Sequence, residues 1–137
     1  MSYVTKDQLI DRIGAEELVQ LTDRFGDGDL DDDVLATAIA DADAIIDSYL
    51  APRYALPLAQ ALIDASPLAR VAGDIARYAL YTAEAPDEVR NRHADALRWL
   101  RDVQAGRASL GRQDTVDTAP GTITRDQGVS AFDWDGY

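Results

Sequence analysis

The amino-acid sequence predicts an all-α protein, a compact bundle of about four to five helices with an extended C-terminal arm. Apolar residues recur at steps of three and four along most of the first 105 residues. Capping residues and prolines stand at the ends of those runs, and the composition then changes to Gly, Thr, Ser and Asp without a helical stripe. With 137 residues, the chain is expected to form one helical domain over residues 1–110 and an arm over residues 111–137.

Two short helices are predicted at the N-terminus. Thr5 followed three residues later by Gln8 resembles a capping box that opens the first helix, and Gly14 ends it. The second helix is predicted over residues 15–22. Neither helix is long enough to be stable alone, so both are expected to pack on the later helices.

The chain is organised around a long helix and the corner that follows it, from Asp31 to Leu58. Aspartates cap the start of this helix, and the apolar stripe along it consists of Leu35, Ala38, Ala42, Ile45, Ile46 and Tyr49. Pro52 and Pro57 end the helix and stiffen the corner, residues 52–58, in which Arg53 is expected to be buried. We interpret Arg53 as an anchor that clamps a carboxylate or main-chain carbonyls, and alternatively, with Tyr54, as a contact with another subunit.

The acidic loop, residues 23–33, lies before the central helix and partly imitates a calcium-binding EF-hand loop. The residues that fall at ligand positions one, five and nine are Asp23, Asp27 and Asp31. However, Phe25 occupies position three, and Val34 stands where a glutamate would supply two oxygens. The loop is therefore interpreted as a turn and helix cap, with those three aspartates as the calcium candidates that titration calorimetry would test.

Three further helical segments are predicted: a short helical turn over residues 60–65, a helix from Pro67 to about Ala83, and a last helix from about Pro86 to Ala105. The buried side of the Pro67 helix is expected to consist of Leu68, Val71, Ala72, Ile75, Ala79 and Tyr78. The stripe of the last helix consists of Val89, His93, Ala96, Leu97, Leu100 and Val103. Its arginines lie off that stripe and are interpreted as ion pairs with neighbouring carboxylates rather than as a basic patch.

Charge and composition exclude several classes of protein. The formal net charge is −12, and residues 1–50 carry 13 acidic against 3 basic side chains, whereas residues 51–105 carry seven of each. This balance argues against direct binding to DNA or to anionic membranes. Cysteine is absent, which excludes disulfides and thiolate zinc sites, and no apolar run approaches the roughly 20 residues that span a bilayer.

No motif for catalysis stands out. The chain contains no nucleophile elbow, Walker loop or dinucleotide fingerprint. His93, the only histidine, lies on the apolar stripe of the last helix and is interpreted as a packed or interface residue. We therefore expect neither an enzymatic activity nor a cofactor.

The arm places three aromatic residues on a polar tail: Phe132, Trp134 and Tyr137. Such a composition is unfavourable for independent folding. Aromatic side chains bury a large area with few rotatable bonds, so these three are predicted to bind a partner protein. The alternative is that the tail folds back onto the helices of its own chain.

Two blocks of sequence carry a family resemblance. The more specific is Asp47-x-Tyr49-Leu50-x-x-Arg53-Tyr54-x-Leu56-Pro57-Leu58, and the second is Asp74-Ile75-Ala76-Arg77-Tyr78-x-Leu80-Tyr81. With Ala96-Leu97-x-x-Leu100, they resemble the phage Mu-like gp36 family over roughly residues 2–111. The tail beyond Gly111 lies outside this resemblance.

The resemblance implies a virion protein of tailed phages or prophages, a head-completion or head–tail connector (adaptor) subunit. It implies a homo-oligomeric ring, commonly of about twelve copies, beneath the portal protein at the head–tail junction. Such a ring is assembled in the host cytoplasm, has no contact with membrane, and docks the next neck or tail-completion protein. DNA passes through its channel without specific binding.

The excess of acidic residues in the first 50 positions bears on how the subunit would meet DNA or a basic partner. In a ring, acidic residues of the first 50, or of the arm, would face the lumen and repel the DNA backbone. The alternative is an acidic helical interaction module, a DNA mimic or regulatory protein that binds a basic partner.

Overall fold

The computed structural model describes residues 2–111, and within that range it contains six α-helices and no β-strand. The helices are α1 (Lys6–Ile13), α2 (Ala15–Thr22), α3 (Asp32–Leu50), α4 (Gln60–Ala65), α5 (Leu68–Leu80) and α6 (Asp87–Gln104). The predicted all-α class is confirmed, and the sixth helix is α4, the predicted helical turn. None of the helices in the described range is long and apolar enough to cross a membrane.

The three longer helices form the core. Helix α3 packs on α5 and α6, and α5 packs on α6, while α1 and α2 cover the side of this group. The largest side chains that are fully buried between the three are Leu35, Ile46 and Leu50 of α3, Leu68, Val71, Ile75 and Leu80 of α5, and Leu100 of α6. The burial of these side chains supplies the main driving force for folding.

Helices α1 and α2 begin and end where the local signals predict. The Thr5 hydroxyl accepts from the Gln8 amide at 3.2 Å, and the Gln8 side chain accepts from the Thr5 amide at 2.9 Å, so the capping box is confirmed. Gly14 joins the two helices with a φ of 105°, a conformation that favours glycine. Leu9 and Leu18 then reach the core with no exposed surface.

The segment before α1 is part of the core, which the sequence did not indicate. Tyr3 and Val4 are buried. The Tyr3 amide donates to Asp43 of α3 at 3.0 Å, and its hydroxyl donates to Asp47 one turn further along. Burial raises the pKa of Asp43, and burial together with the bond to Asp47 raises the pKa of Tyr3. This segment therefore fastens the N-terminal end of the chain to the central helix.

Helix α5 differs from its prediction in length and in its buried face. It ends at Leu80 rather than near Ala83, and both Tyr78 and Ala79 are exposed, so their predicted burial is wrong. Gly73 and Ala76 are buried instead. The reason is that α1 covers a second side of α5. A side chain carbon added at Gly73 would lie 3.5 Å from a methyl group of Leu9 of α1.

Helix α6 follows its predicted stripe. The buried residues are Val89, Ala96, Leu100 and Val103, and His93 and Leu97 are partly buried. Three of its arginines form ion pairs as predicted: Arg90 with Glu84 and Asp87, Arg92 with Glu88, and Arg98 with Asp95. Asp102, however, pairs with Arg107 beyond the end of the helix.

Candidate interaction site

The corner after α3 is held in place by main-chain and side-chain contacts. The amides of Arg53 and Tyr54 both donate to the Leu50 carbonyl, at 3.0 and 2.9 Å. The Leu56–Pro57 peptide bond is cis. Leu58 closes the corner by entering the core. This geometry directs the Arg53 and Tyr54 side chains to the C-terminal end of α6.

Arg53 anchors the corner to the end of α6. Its guanidinium donates to the Val103 carbonyl at 2.7 Å and approaches the Ala108 carbonyl at 3.5 Å. It also lies 5.5 Å from the centre of the Tyr54 ring. The expected burial of Arg53 is wrong, because the residue is exposed. The structure shows the anchoring role, and the contact with another subunit stays a prediction.

Tyr54 makes a second contact with the segment at the end of α6, and Arg53 and Tyr54 together form a clamp. Its hydroxyl accepts from the Leu110 amide at 3.3 Å, and the Leu110 side chain is buried. The turn between them passes through Gly106, whose φ is 85° and whose added side-chain carbon would lie 3.8 Å from the Arg53 guanidinium. Arg53 therefore binds the start of the segment 103–110, and Tyr54 binds its end.

In the acidic loop, two of the calcium candidates accept hydrogen bonds from main-chain amides. The Asp23 carboxylate accepts from the Asp27 amide at 2.9 Å and from the Gly28 amide at 2.7 Å, which lowers the pKa of Asp23. Asp31 caps α3 by accepting from two amides, at 2.9 and 3.2 Å. Within residues 2–111, no three acidic or histidine side chains gather where they could hold a metal ion.

Thr22 closes the base of the acidic loop, a role that the sequence did not indicate. It is fully buried. Its hydroxyl donates to the Leu18 carbonyl at 2.8 Å and accepts from the Asp31 amide at 3.0 Å. At the other extreme, Phe25 is 82% exposed near the tip of the loop. The loop therefore has a fixed base and presents an aromatic side chain to solvent.

His93 lies against an aromatic side chain rather than in a catalytic group. Its ring stacks on that of Tyr78 with centroids 4.0 Å apart and planes 9° from parallel. Burial lowers the pKa of His93, and the nearby Asp74 charge opposes this shift. The histidine is therefore packed between α5 and α6, as interpreted from its position on the stripe.

A cluster of arginines forms a depression that the sequence did not indicate. This arginine pocket, of about 330 Å³, lies between the end of α1, the outer face of α5 and the start of α6. Its charged lining residues are Arg12, Arg70, Arg77, Arg92, Asp74 and Glu88. The arginines come from three helices, so only the packing of those helices brings them together.

Arg77 has the best-fixed position in this pocket. Its guanidinium donates to both carboxylate oxygens of Glu17 on α2, at 2.7 and 3.0 Å. The Tyr81 hydroxyl donates to the same carboxylate at 3.3 Å. The bond to Glu17 raises the pKa of Arg77. This pair joins two helices across 60 residues of sequence and fixes one wall of the pocket.

The three aromatic residues proposed for partner binding, Phe132, Trp134 and Tyr137, lie outside the described residues. Their role stays a prediction. What the structure shows is the segment that leads to them, held to the body by Arg53 and Tyr54.

Comparisons with known proteins cover almost the whole chain. The profile of the family described as "Bacteriophage Mu, Gp36" matches residues 3–126, which extends beyond Gly111, the last residue of the resemblance. Gene product J of Escherichia phage Mu is 33% identical over 121 residues, 88% of this chain and 84% of that protein. The Mu-like prophage FluMu protein gp36 of Haemophilus influenzae is 34% identical over 129 residues, 92% of this chain and 89% of that protein.

The described part of the chain is thus a small helical body with a clamped corner, an acidic loop and an arginine pocket on its surface. Its relatives are proteins of a phage and of a prophage, so this all-α body belongs to the class of phage and prophage proteins. The chain is a member of the Bacteriophage Mu Gp36 family.

Proposed function

We propose that this chain is a virion protein, a head–tail connector subunit of a tailed phage or prophage. In this proposal, about twelve copies form a ring below the portal protein at the head–tail junction. The ring extends the DNA channel and docks the next neck or tail-completion protein. It has no enzymatic activity and requires no cofactor.

Membership of the Mu Gp36 family is the observation that carries this proposal. It is shared with proteins of a phage and of a prophage along most of their length. The clamp formed by Arg53 and Tyr54 supports it. A connector subunit needs a firm body and a segment that reaches a neighbour, and the clamp fixes the point from which residues 112–137 continue.

Helix α3 is the best candidate to line the DNA channel. Its 19 residues include five aspartates and no lysine or arginine. Its exposed face combines Asp33 and Asp41 with small side chains at Ala36, Ala40 and Ala44. A smooth acidic surface of this kind repels DNA phosphates, so DNA would slide past it.

The test is to remove the gene for this chain from the phage or prophage that encodes it and to image the particles by negative stain. We expect DNA-filled heads without tails, separate complete tails, and tailed particles again when the full chain is supplied in trans. Normal tailed and infectious particles without the chain would overturn the proposal.

A second candidate is an acidic interaction module that binds a basic protein, favoured by the 13 acidic side chains of residues 1–50. It predicts that the chain competes with DNA for a basic nucleic-acid-binding protein of the host. It also predicts intact particles when the gene is removed. The particle images therefore separate the two candidates.

A further inference from the structure

The arginine pocket is a cationic site in a strongly acidic protein. Four arginines line it against two carboxylates, although the formal charge of the whole chain is −12. One of those carboxylates, Asp74, has a side chain that is only 12% exposed, and burial raises its pKa despite the arginines around it. Glu17 also pairs with Arg77, so four arginines stand against three carboxylates and the region keeps an excess of one positive charge.

The arginines at the mouth of the pocket form only exposed ion pairs, or none, within the chain. Arg70 and Arg92 are about half exposed, and they approach Asp74 and Glu88 at 3.4 and 3.2 Å. Arg12 is exposed and lies near enough to Asp74 for its charge to favour the ionised carboxylate, but it forms no direct ion pair within the range 2–111. Exposed pairs of this kind contribute little to stability, so these guanidiniums can bind carboxylates from outside the chain at little cost.

An exposed aromatic pair lies beside the pocket. Tyr78 follows Asp74 by one turn of α5, and His93 follows Arg92 on α6. Their stacked rings form one continuous surface, of which Tyr78 is 38% exposed. An incoming segment that combined carboxylates with an aromatic side chain would match both parts of this region.

The acidic loop of the same chain has that combination. Asp27 and Asp29 are exposed, and their carboxylates form no ion pair within residues 2–111. Phe25 stands near them, and Phe25 and Tyr78 are the two large apolar side chains that the described part of the chain leaves exposed. No residue of the loop lines the arginine pocket of its own chain. The two surfaces are thus complementary, and within one copy the loop does not line the pocket.

We propose that the acidic loop of one copy binds the arginine pocket of a second copy. Asp27 and Asp29 meet Arg12 and Arg92, and Phe25 packs on the Tyr78–His93 stack. The contact joins two different surfaces, so it is heterologous, and repeated contacts of this type close into a ring when the rotation allows it. The inference rests on the proposed connector function, to which it adds the contact between neighbouring subunits.

Charge exchange between the two surfaces tests this directly in the full chain. One variant carries Arg12→Glu and Arg92→Glu, and a second carries Asp27→Lys and Asp29→Lys. Each alone sets like charges against each other, so its apparent dissociation constant for self-association should rise at least about tenfold. An equimolar mixture should associate again, because each loop then meets a pocket of opposite sign.

Matched controls change the same number of charges elsewhere. They are Arg98→Glu with Arg101→Glu on the far part of α6, and Asp7→Lys with Asp11→Lys on α1. Analytical ultracentrifugation of these variants should give the association of the parent chain. Thermal unfolding of every variant checks that the body is folded.

Disulfide cross-linking detects the contact even when it is too transient to be seen by sedimentation. The chain has no cysteine, so Asp29→Cys and Arg92→Cys can be introduced singly without background. Mixing the two under mild oxidation should give a covalent dimer, and the chain that carries both should give a ladder of multimers. As the control, a mixture of Asp29→Cys with Ser48→Cys, which lies on the exposed face of α3, should give no covalent dimer between the two variants.

These outcomes separate the contact from the connector function. Failure of both the charge exchange and the cross-link overturns the contact, even if particles without the chain lack tails. If the pocket variant abolishes attachment to particles while cross-linking at Asp29 fails, the pocket binds a different anionic partner and the proposal is wrong. If cross-linking succeeds and particles without the chain are normal, the contact stands and the connector function falls.

Discussion

Arg53 and Val103 are 50 residues apart in sequence, and the Arg53 guanidinium donates a hydrogen bond to the Val103 carbonyl at 2.7 Å. The carbonyl belongs to the last turn of α6, where helical carbonyls lack partners within the helix. The Val103 carbonyl also accepts from the Gly106 amide at 3.1 Å, so Arg53 adds a second, charged donor at the end of this helix.

We expect Arg53→Ala to lower the free energy of unfolding by about 1 to 2 kcal/mol, because a hydrogen bond from a charged donor is lost. In a domain of this size, that corresponds to a fall in melting temperature of roughly 4–8 °C. Arg53→Lys should recover part of the loss, because lysine can reach one carbonyl but cannot bridge two. Thermal unfolding by circular dichroism measures both, and equal stability of all three chains would contradict the anchoring role.

The Glu17–Arg77 pair should show energetic coupling in a double-mutant cycle. Both side chains are largely covered, 28% and 18% exposed, and the contact is bidentate. For Glu17→Ala and Arg77→Ala, we expect a coupling energy of about 1 to 2 kcal/mol from urea unfolding. The matched control is Asp95–Arg98, where both side chains are about two-thirds exposed and the coupling should stay below about 0.5 kcal/mol.

The buried Asp43 should impose a pH dependence on stability. Burial raises its pKa above the usual 3.8, so the folded chain holds a proton that the unfolded chain releases. The stabilisation from Asp43 is therefore complete below pH 3.8 and is lost as the pH rises through the folded-state pKa. In Asp43→Asn, the side-chain carbonyl can still accept from the Tyr3 amide.

Relative to the parent chain, Asp43→Asn should therefore gain stability between about pH 3 and pH 7. Melting temperatures across this range measure the difference. Asp41→Asn, an exposed position on the same helix, is the control and should show a flat difference. A difference for Asp43→Asn that is equally flat, or that falls as the pH rises, would contradict this account of the N-terminal segment.

Much of the fold could be predicted because its signals are local. The capping box of Thr5 and Gln8 and the Asp31 cap each act within a few residues. Pro52 and Gly106 likewise follow the ends of α3 and α6 closely. Most of the apolar stripe of α3 could also be predicted: its buried members are Leu35, Ala38, Ala42 and Ile46, whereas Ile45 and Tyr49 are only partly buried.

The remaining features depend on packing between distant segments. The burial of Tyr3 could not be read from a short polar start, and the bond between Glu17 and Arg77 spans 60 residues. The buried face of α5 differs from the predicted one because α1 covers a second side of this helix. The arginine pocket has the same origin, since three helices contribute to it. Periodicity within one helix contains no information about such neighbours.

Residues 126–137 should be needed for attachment to a partner and not for stability of the helical body. If Phe132, Trp134 and Tyr137 bind the portal or a neck protein, deleting residues 126–137 leaves the melting temperature unchanged and abolishes incorporation into particles. Replacing the three aromatic residues by alanine should have the same effect. A fall in melting temperature of the isolated chain would instead favour the alternative, in which the tail folds back onto its own helices.

The acidic face of α3 gives a prediction about DNA movement. Asp41→Lys with Ala44→Lys, both at exposed positions, would place positive charge on this face without disturbing the core. If α3 lines the channel, particles should assemble normally but release DNA more slowly, by about tenfold at low salt, because phosphates bind the lysines. Raising the salt should restore the rate. Asp41→Asn with Ala44→Gln, which adds no positive charge, should release DNA at nearly the parent rate. Equal rates for all three particles would show that another surface of the subunit faces the DNA.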